Sequence, residues 1–89
     1  MSWRILYTRQ AQKDARKLAA ASPALKANAQ QLLALLEEDP YRNPPPFERL
    51  VGDLKGAISR RINIQHRLMD EVLDHDGVVK VLRLWTHVD

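Results

Sequence analysis

Apolar positions along this chain follow one period up to the prolines and another after them. WRILY, Trp3 to Tyr7, opens as a short strand. Thr8 can cap the helix that the next residues predict. RQAQKDARKLAAAS is built of strong helix formers, with Ala11, Ala15, Leu18 and Ala19 on one stripe. SPALKANAQQLLALLEED predicts a second helix: Ser22 is a good N-cap, and Pro23 takes the first helical position, where its missing N–H costs nothing. Its apolar stripe is Leu25, Ala29, Leu32, Leu33 and Leu36. Helices joined this tightly should form an antiparallel hairpin.

DPYRNPPPFER ends the helical half, because consecutive prolines neither continue a helix nor join a central strand. It reads as an extended crossing, and LVGDLKG as a turn-rich approach to the next strand. From Ala57 the period is two. AISRRIN, RLMDEVL and VVKVLRLW predict strands, with HDG a tight turn between the last two. The order is therefore β-α-α-β-β-β, an α+β fold whose two-helix hairpin packs on one face of a twisted antiparallel sheet, with residues 1–89 expected to form a single domain.

One residue breaks the pattern. Asp70 lies between Leu68 and Val72, in the apolar phase of its strand. Pairing Ile58 with Val72 and Ile62 with Leu68 leaves an odd loop, such as Ile64 to His66, and sets Arg60 opposite Asp70. On that register Asp70 neutralises Arg60 on the covered face, although desolvation offsets most of such an attraction. The other face collects Ser59, Arg61, Asn63, Arg67 and Glu71, and chemistry is expected there.

Composition narrows the classes. A chain of 89 residues buries roughly 60–65% of its unfolded surface, enough for one core. The hydrophobic fraction of 45% argues against disorder. Without cysteine there is neither a disulfide framework nor a zinc ribbon. The amino terminus reaches charged residues too soon for a signal peptide, and no window approaches the ~20 apolar residues of a membrane span, so a cytoplasmic location is expected. Net charge is +3 and the pI near 9.6. Arg60, Arg61, Arg67, Lys80 and Arg83 all fall on the strands after the prolines, and arginines gathered on one sheet face would suit phosphate.

Candidate chemistry is sparse. His66, His75 and His87 lack a metal-ligand spacing. His75 belongs to a turn and His66 to a loop, as a solvated and a packing residue respectively. His87 stands where the last strand ends and can project into a groove. Glu48 follows Pro-Pro-Pro-Phe in the stiff crossing, either as a solvated carboxylate or as a catalytic one. There is no Gly-rich phosphate loop, nucleophile elbow or paired-carboxylate motif. Spacing alone describes a small basic α+β domain.

The string PPFERLVGDLKGAISRRINIQHRLMDEVLDHDGVVKVLRLWTH goes further. It resembles the YoeB/Txe family of bacterial toxins within the RelE superfamily, most specifically in GDLKG, SRRINIQHRL and the closing WTH. The resemblance implies a RelE-like fold and a ribosome-dependent messenger-RNA endonuclease, an mRNA interferase acting in the ribosomal A site without metal or cofactor. It implies a YefM-like antitoxin that covers the site, a bacterial ribosome and its message as partners, and homodimers of the kind such toxins often form. Carried over by residue, it makes Glu48 the general base, His87 the general acid, Arg67 the phosphate-stabilising group and Arg61 its support.

Three positions depart from the family pattern: Val88 and Asp70 stand where tyrosine is common, and Ile58 where an aromatic is. Valine has no hydroxyl and cannot stack on a base. Two readings stay open, an enzyme of weakened activity or a RelE-fold module that binds its antitoxin without cleaving RNA. A general RNA-binding domain is disfavoured by the lack of aromatics interleaved with the arginines.

Overall fold

The computed structural model describes residues 3–50 and 56–85. His87, Val88 and all of the GDLKG motif but Gly56 lie outside the described residues. Strand β1 (Arg4–Tyr7) leads into helices α1 (Arg9–Ala21) and α2 (Pro23–Glu38), followed by strands β2 (Glu48–Arg49), β3 (Ala57–Arg61), β4 (Arg67–Leu73) and β5 (Val78–Arg83). A single 3₁₀ turn, Asp74–Asp76, joins the last two.

Local chemistry sets the helix limits. The Thr8 hydroxyl accepts from the Ala11 N–H at 3.0 Å, capping α1, and donates to the Leu82 carbonyl at 3.0 Å, fixing the cap to the sheet. Ser22 serves both helices. Its N–H donates to the Leu18 carbonyl and closes α1, while its hydroxyl accepts from the Leu25 N–H and opens α2. One residue thus forms the whole link of the hairpin.

The helices cover one face of the sheet. Ala11, Leu18, Leu25, Ala29 and Leu36 meet Ile62, Leu68, Val79, Val81 and Leu84 in the core, with Leu32, Leu33 and Trp3 packed at its margin. Full burial of each large aliphatic side chain contributes about 1.5–3 kcal/mol. The α1 stripe differs from expectation in composition: Ala19 is exposed, and Asp14 is buried beside Ala11 and Leu18.

The sheet runs β1-β5-β4-β3-β2 and is mixed. The expected α+β class stands, but β1 lies parallel to β5, from Arg4 opposite Val78 to Tyr7 opposite Val81. Alternation along a strand reports its faces and says nothing of its partner's direction. The crossing also ends in a strand that was expected to be loop. Glu48 pairs with Ser59 and Arg49 with Ile58. Two residues are too few to show a period.

The β3–β4 hairpin corrects the expected register. Arg60 stands opposite Leu68, and Asp70 opposite Ile58. The loop occupies residues 62–66 instead of 64–66, because the Asn63 carboxamide oxygen accepts from the Gln65 and His66 N–H groups at 2.9 and 2.7 Å. That side-chain turn begins the loop early. The slip is by two residues, so each side chain keeps its expected face.

The anticipated Arg60–Asp70 ion pair is absent among the described residues. Arg60 turns to the proline crossing, donating to the carbonyls of Pro45 at 2.8 Å and Pro40 at 2.9 Å. Asp70 is fully buried, and neither of its carboxylate oxygens has a hydrogen-bond partner among the described residues. Burial pushes its carboxyl up to about 7, with the charge of Arg60 pulling weakly the other way.

This has a defined consequence for stability. The native state keeps a proton on Asp70 that the unfolded chain, at about 3.9, has already released. Stability is therefore expected to fall as pH rises from about 4 through about 7, by on the order of a few kcal/mol, and to level off above. Asp70→Asn should flatten that slope and raise stability at pH 8. Urea unfolding midpoints of both proteins at pH 5 and pH 8 test this, and parallel slopes would refute it.

Candidate active site

On the open face of the sheet, strand alternation collects the polar residues that the hairpin pattern predicted. Glu48 on β2 pairs with Ser59 on β3, and Arg61 at the end of β3 pairs with Arg67 at the start of β4. With Pro46 and Phe47 they line a cleft of about 260 Å³. A carboxylate oxygen of Glu48 lies 3.7 Å from Nη1 of Arg67, and the same nitrogen is 3.4 Å from the Ser59 hydroxyl oxygen.

Exposure differs sharply within the group. Ser59 is buried in the floor, the Arg67 side chain is 20% exposed, and that of Glu48 is 70% exposed. Like charges directly across a strand pair repel. Arg61 and Arg67 are so placed, and the Glu48 carboxylate lies within ion-pair distance of Arg67. Two guanidinium forks, each suited to two oxygens at once, would suit a phosphate group in the cleft.

The arginine surface expected from sequence is smaller than anticipated. Arg60 points to the covered side, where it is buried. Arg83 binds Asp14 of α1. Lys80 stays exposed, directly opposite Glu71. His75 is exposed on the 3₁₀ turn, whereas His66 is buried and stacks on Trp85 at 4.0 Å between ring centroids. Among the described residues no group of His, Cys, Asp or Glu could hold a metal ion.

Asp14 is the residue that reading the sequence missed. One of its oxygens accepts from Nε of Arg83 at 2.8 Å and from the N–H groups of Leu84 and Trp85 at 3.0 and 3.2 Å. The other accepts from the Gln10 carboxamide at 2.9 Å. A helix carboxylate thereby fixes the chain where β5 ends, two residues before His87. Burial alone would push its carboxyl up and is the largest single influence. The hydrogen bonds from Arg83, Gln10, Leu84 and Trp85 together outweigh it and hold the group below the usual carboxylate range. The signal was available: an acid within the apolar stripe of α1, the same kind of flag as Asp70.

The described residues form a helical hairpin on one side of a mixed sheet, with an arginine–glutamate cleft on the other. Solved structures share the fold. The chain is 21% identical to the YoeB/ParE toxin from Agrobacterium tumefaciens, at a TM-score of 0.86 over 96% of this chain and 99% of that one. For the YoeB-YefM complex from Staphylococcus aureus the values are 25% identity, a TM-score of 0.81, and 99% and 100% coverage. YafQ from E. coli, as an H87Q mutant, aligns at 20% identity and a TM-score of 0.79 over 94% and 92% of the two chains. Comparison with curated proteins yields no match.

The family model of the ParE toxin of type II toxin-antitoxin system, parDE, matches residues 5–89, and this chain belongs to that family. It is the toxin of a type II toxin–antitoxin module, with a YoeB-like fold.

Asp14 allows a direct test. Its stabilising effect is present above the unfolded value, about 3.9, and is lost as pH falls through the lower native value. Asp14→Asn should cost about 2 kcal/mol or more near neutral pH and remove part of the acid sensitivity below pH 4. Guanidinium unfolding at pH 7 and pH 3 measures both. An unchanged midpoint at pH 7 would show that these hydrogen bonds contribute nothing net.

Proposed function

We propose that this toxin is a ribosome-dependent endoribonuclease that cuts messenger RNA in the ribosomal A site. The observation that carries the reading is the Glu48 carboxylate set 3.7 Å from the Arg67 guanidinium in a cleft shared with Arg61. Glu48 removes the proton from a ribose 2′-hydroxyl, and the freed oxygen attacks the adjacent phosphorus. The P–O bond to the 5′-oxygen breaks, and His87 protonates that oxygen as it leaves. The products are a 2′,3′-cyclic phosphate and a 5′-hydroxyl, formed with neither metal nor cofactor. Arg67, supported by Arg61, neutralises charge that grows on the phosphoryl oxygens.

In this reading a YefM-like antitoxin covers the cleft, and the toxin works in the cytoplasm on ribosome-bound message, with homodimers as a further assembly. Support for the partner is the similarity to a toxin solved as a YoeB-YefM complex, and for the dimer the similarity to the YoeB dimer of Staphylococcus aureus. No helix among the described residues is long and apolar enough to cross a membrane. A second reading, antitoxin binding without cleavage, is favoured by one feature: Val88 beside His87 in place of the tyrosine common in similar toxins.

Programmed ribosomes decide between the two. Wild-type protein should release a new message end in the A-site codon. Glu48→Gln and His87→Ala should each slow cleavage by about 10²–10⁴-fold without loss of fold. Equal rates in wild type and both variants would rule out the assigned acid–base pair. Expression without an antitoxin should arrest growth, and His87→Ala should relieve the arrest; harmless expression of the wild type would favour the binding module.

A further inference from the structure

Strand β3 divides its three polar residues between two tasks. Ser59 and Arg61 face the cleft, and Arg60 between them faces the opposite side. Arg60 is 1% exposed, the largest fully buried side chain among the described residues. Its two terminal nitrogens reach separate parts of the crossing, Pro40 and Pro45, and its guanidinium carbon lies 4.8 Å from the Phe47 ring centroid. The residue after Phe47 is Glu48.

Among the described residues, the backbone support of Glu48 is slight. Strand β2 has only two paired residues, and a pairing this short is marginal by itself. Prolines preceding it supply no N–H groups for a ladder. Among the described residues, the other side-chain hydrogen bonds and ring contacts of the crossing involve exposed groups: Tyr41 donates to Asp74, and Arg49 lies near the Tyr41 and Phe47 rings. Among the described residues, Arg60 is the side chain that hydrogen-bonds the crossing from the covered side.

We propose that Arg60 is the positioning residue for Glu48: by stapling Pro40 and Pro45 and covering Phe47, it sets where the Glu48 carboxylate stands against Arg67. The proposal rests on the reading of Glu48 as the base. Arginine suits the task because its planar fork reaches two carbonyls and an aromatic face at once, and it stays charged when buried. Lysine can keep the charge and one of the carbonyl bonds.

The test uses Arg60→Met, Arg60→Lys and the paired variant Arg60→Met/Asp70→Leu, which leaves no unaccompanied buried carboxylate. Amide hydrogen exchange is followed at Leu50, whose N–H donates to the Ala57 carbonyl at 2.9 Å and so reports the seating of β2. Amides within α1 and α2 serve as the internal reference. Exchange at Leu50 should quicken by about tenfold or more in the paired variant while the helices hold their protection. On programmed ribosomes kcat should fall on the order of 100-fold with KM changed by less than about twofold, and Arg60→Lys should restore part of the loss.

Wild-type exchange at Leu50 in a folded Met variant would overturn the proposal. So would wild-type kcat with a loosened β2, or reduced kcat with β2 still protected. If the methionine variants unfold throughout, the same two readouts on Arg60→Lys decide. Should the wild type leave message intact, the reading of Glu48 as base fails, and the exchange measurement still decides whether Arg60 seats the strand.

Discussion

A guanidinium removed from water keeps its charge, so the interior that takes it in must supply acceptors of its own. At Arg60 those acceptors are backbone carbonyls of the proline crossing. Prolines suit this role. They have no N–H to satisfy, and each leaves a carbonyl free to point inward. The crossing is thereby closed over the edge of the sheet by a side chain from the sheet itself. A stretch that cannot form a helix or a ladder still arrives at one place, and Glu48 arrives with it.

The far end of the chain is held by similar means with the charges reversed. Asp14 takes the backbone N–H groups of Leu84 and Trp85 together with the Arg83 side chain. Trp85 is further braced by His66, from the β3–β4 loop, and by the Lys17 ammonium 5.9 Å from its ring. Both anchors act from the covered side of the sheet. The open face is left to Ser59, Arg61 and Arg67, with Glu48 brought to its edge. Burying the anchors on the covered side lets a small domain carry a charged cleft on its open face.

Much of this order was legible in the residues. Thr8 and the Ser22-Pro23 pair mark helix limits because capping is chemistry between near neighbours in sequence. The limits of β4 and the faces of β3 and β4 come from period two. What escaped was non-local. The parallel partner of β1 lies more than 70 residues away, and a ladder of two residues at Glu48 has no period to detect. The hairpin register was decided by one carboxamide, that of Asn63, which alternation does not report. Spacing named the polar face, while the roles proposed for Glu48, Arg67 and His87 came from resemblance. Asp14 went unnoticed since Arg83, Leu84 and Trp85 lie far from it along the chain, and the last two offer only backbone.

Asp14 and Asp70 show why a charge in an apolar stripe has to be interpreted through its hydrogen bonds. Both are buried carboxylates that feel the charge of an arginine. Asp14 accepts four hydrogen bonds, and the ionised form wins despite burial. Asp70 accepts none among the described residues, and burial wins. The arginines differ too: Arg83 donates to Asp14 at 2.8 Å, whereas Arg60 has spent its terminal N–H groups on neutral carbonyls and offers Asp70 only a field. A field in a protein interior recovers part of the desolvation cost, and directed N–H groups recover the rest. The same residue type therefore acts as an anchor in α1 and as a tension in β4, and the difference lies in the donors around it.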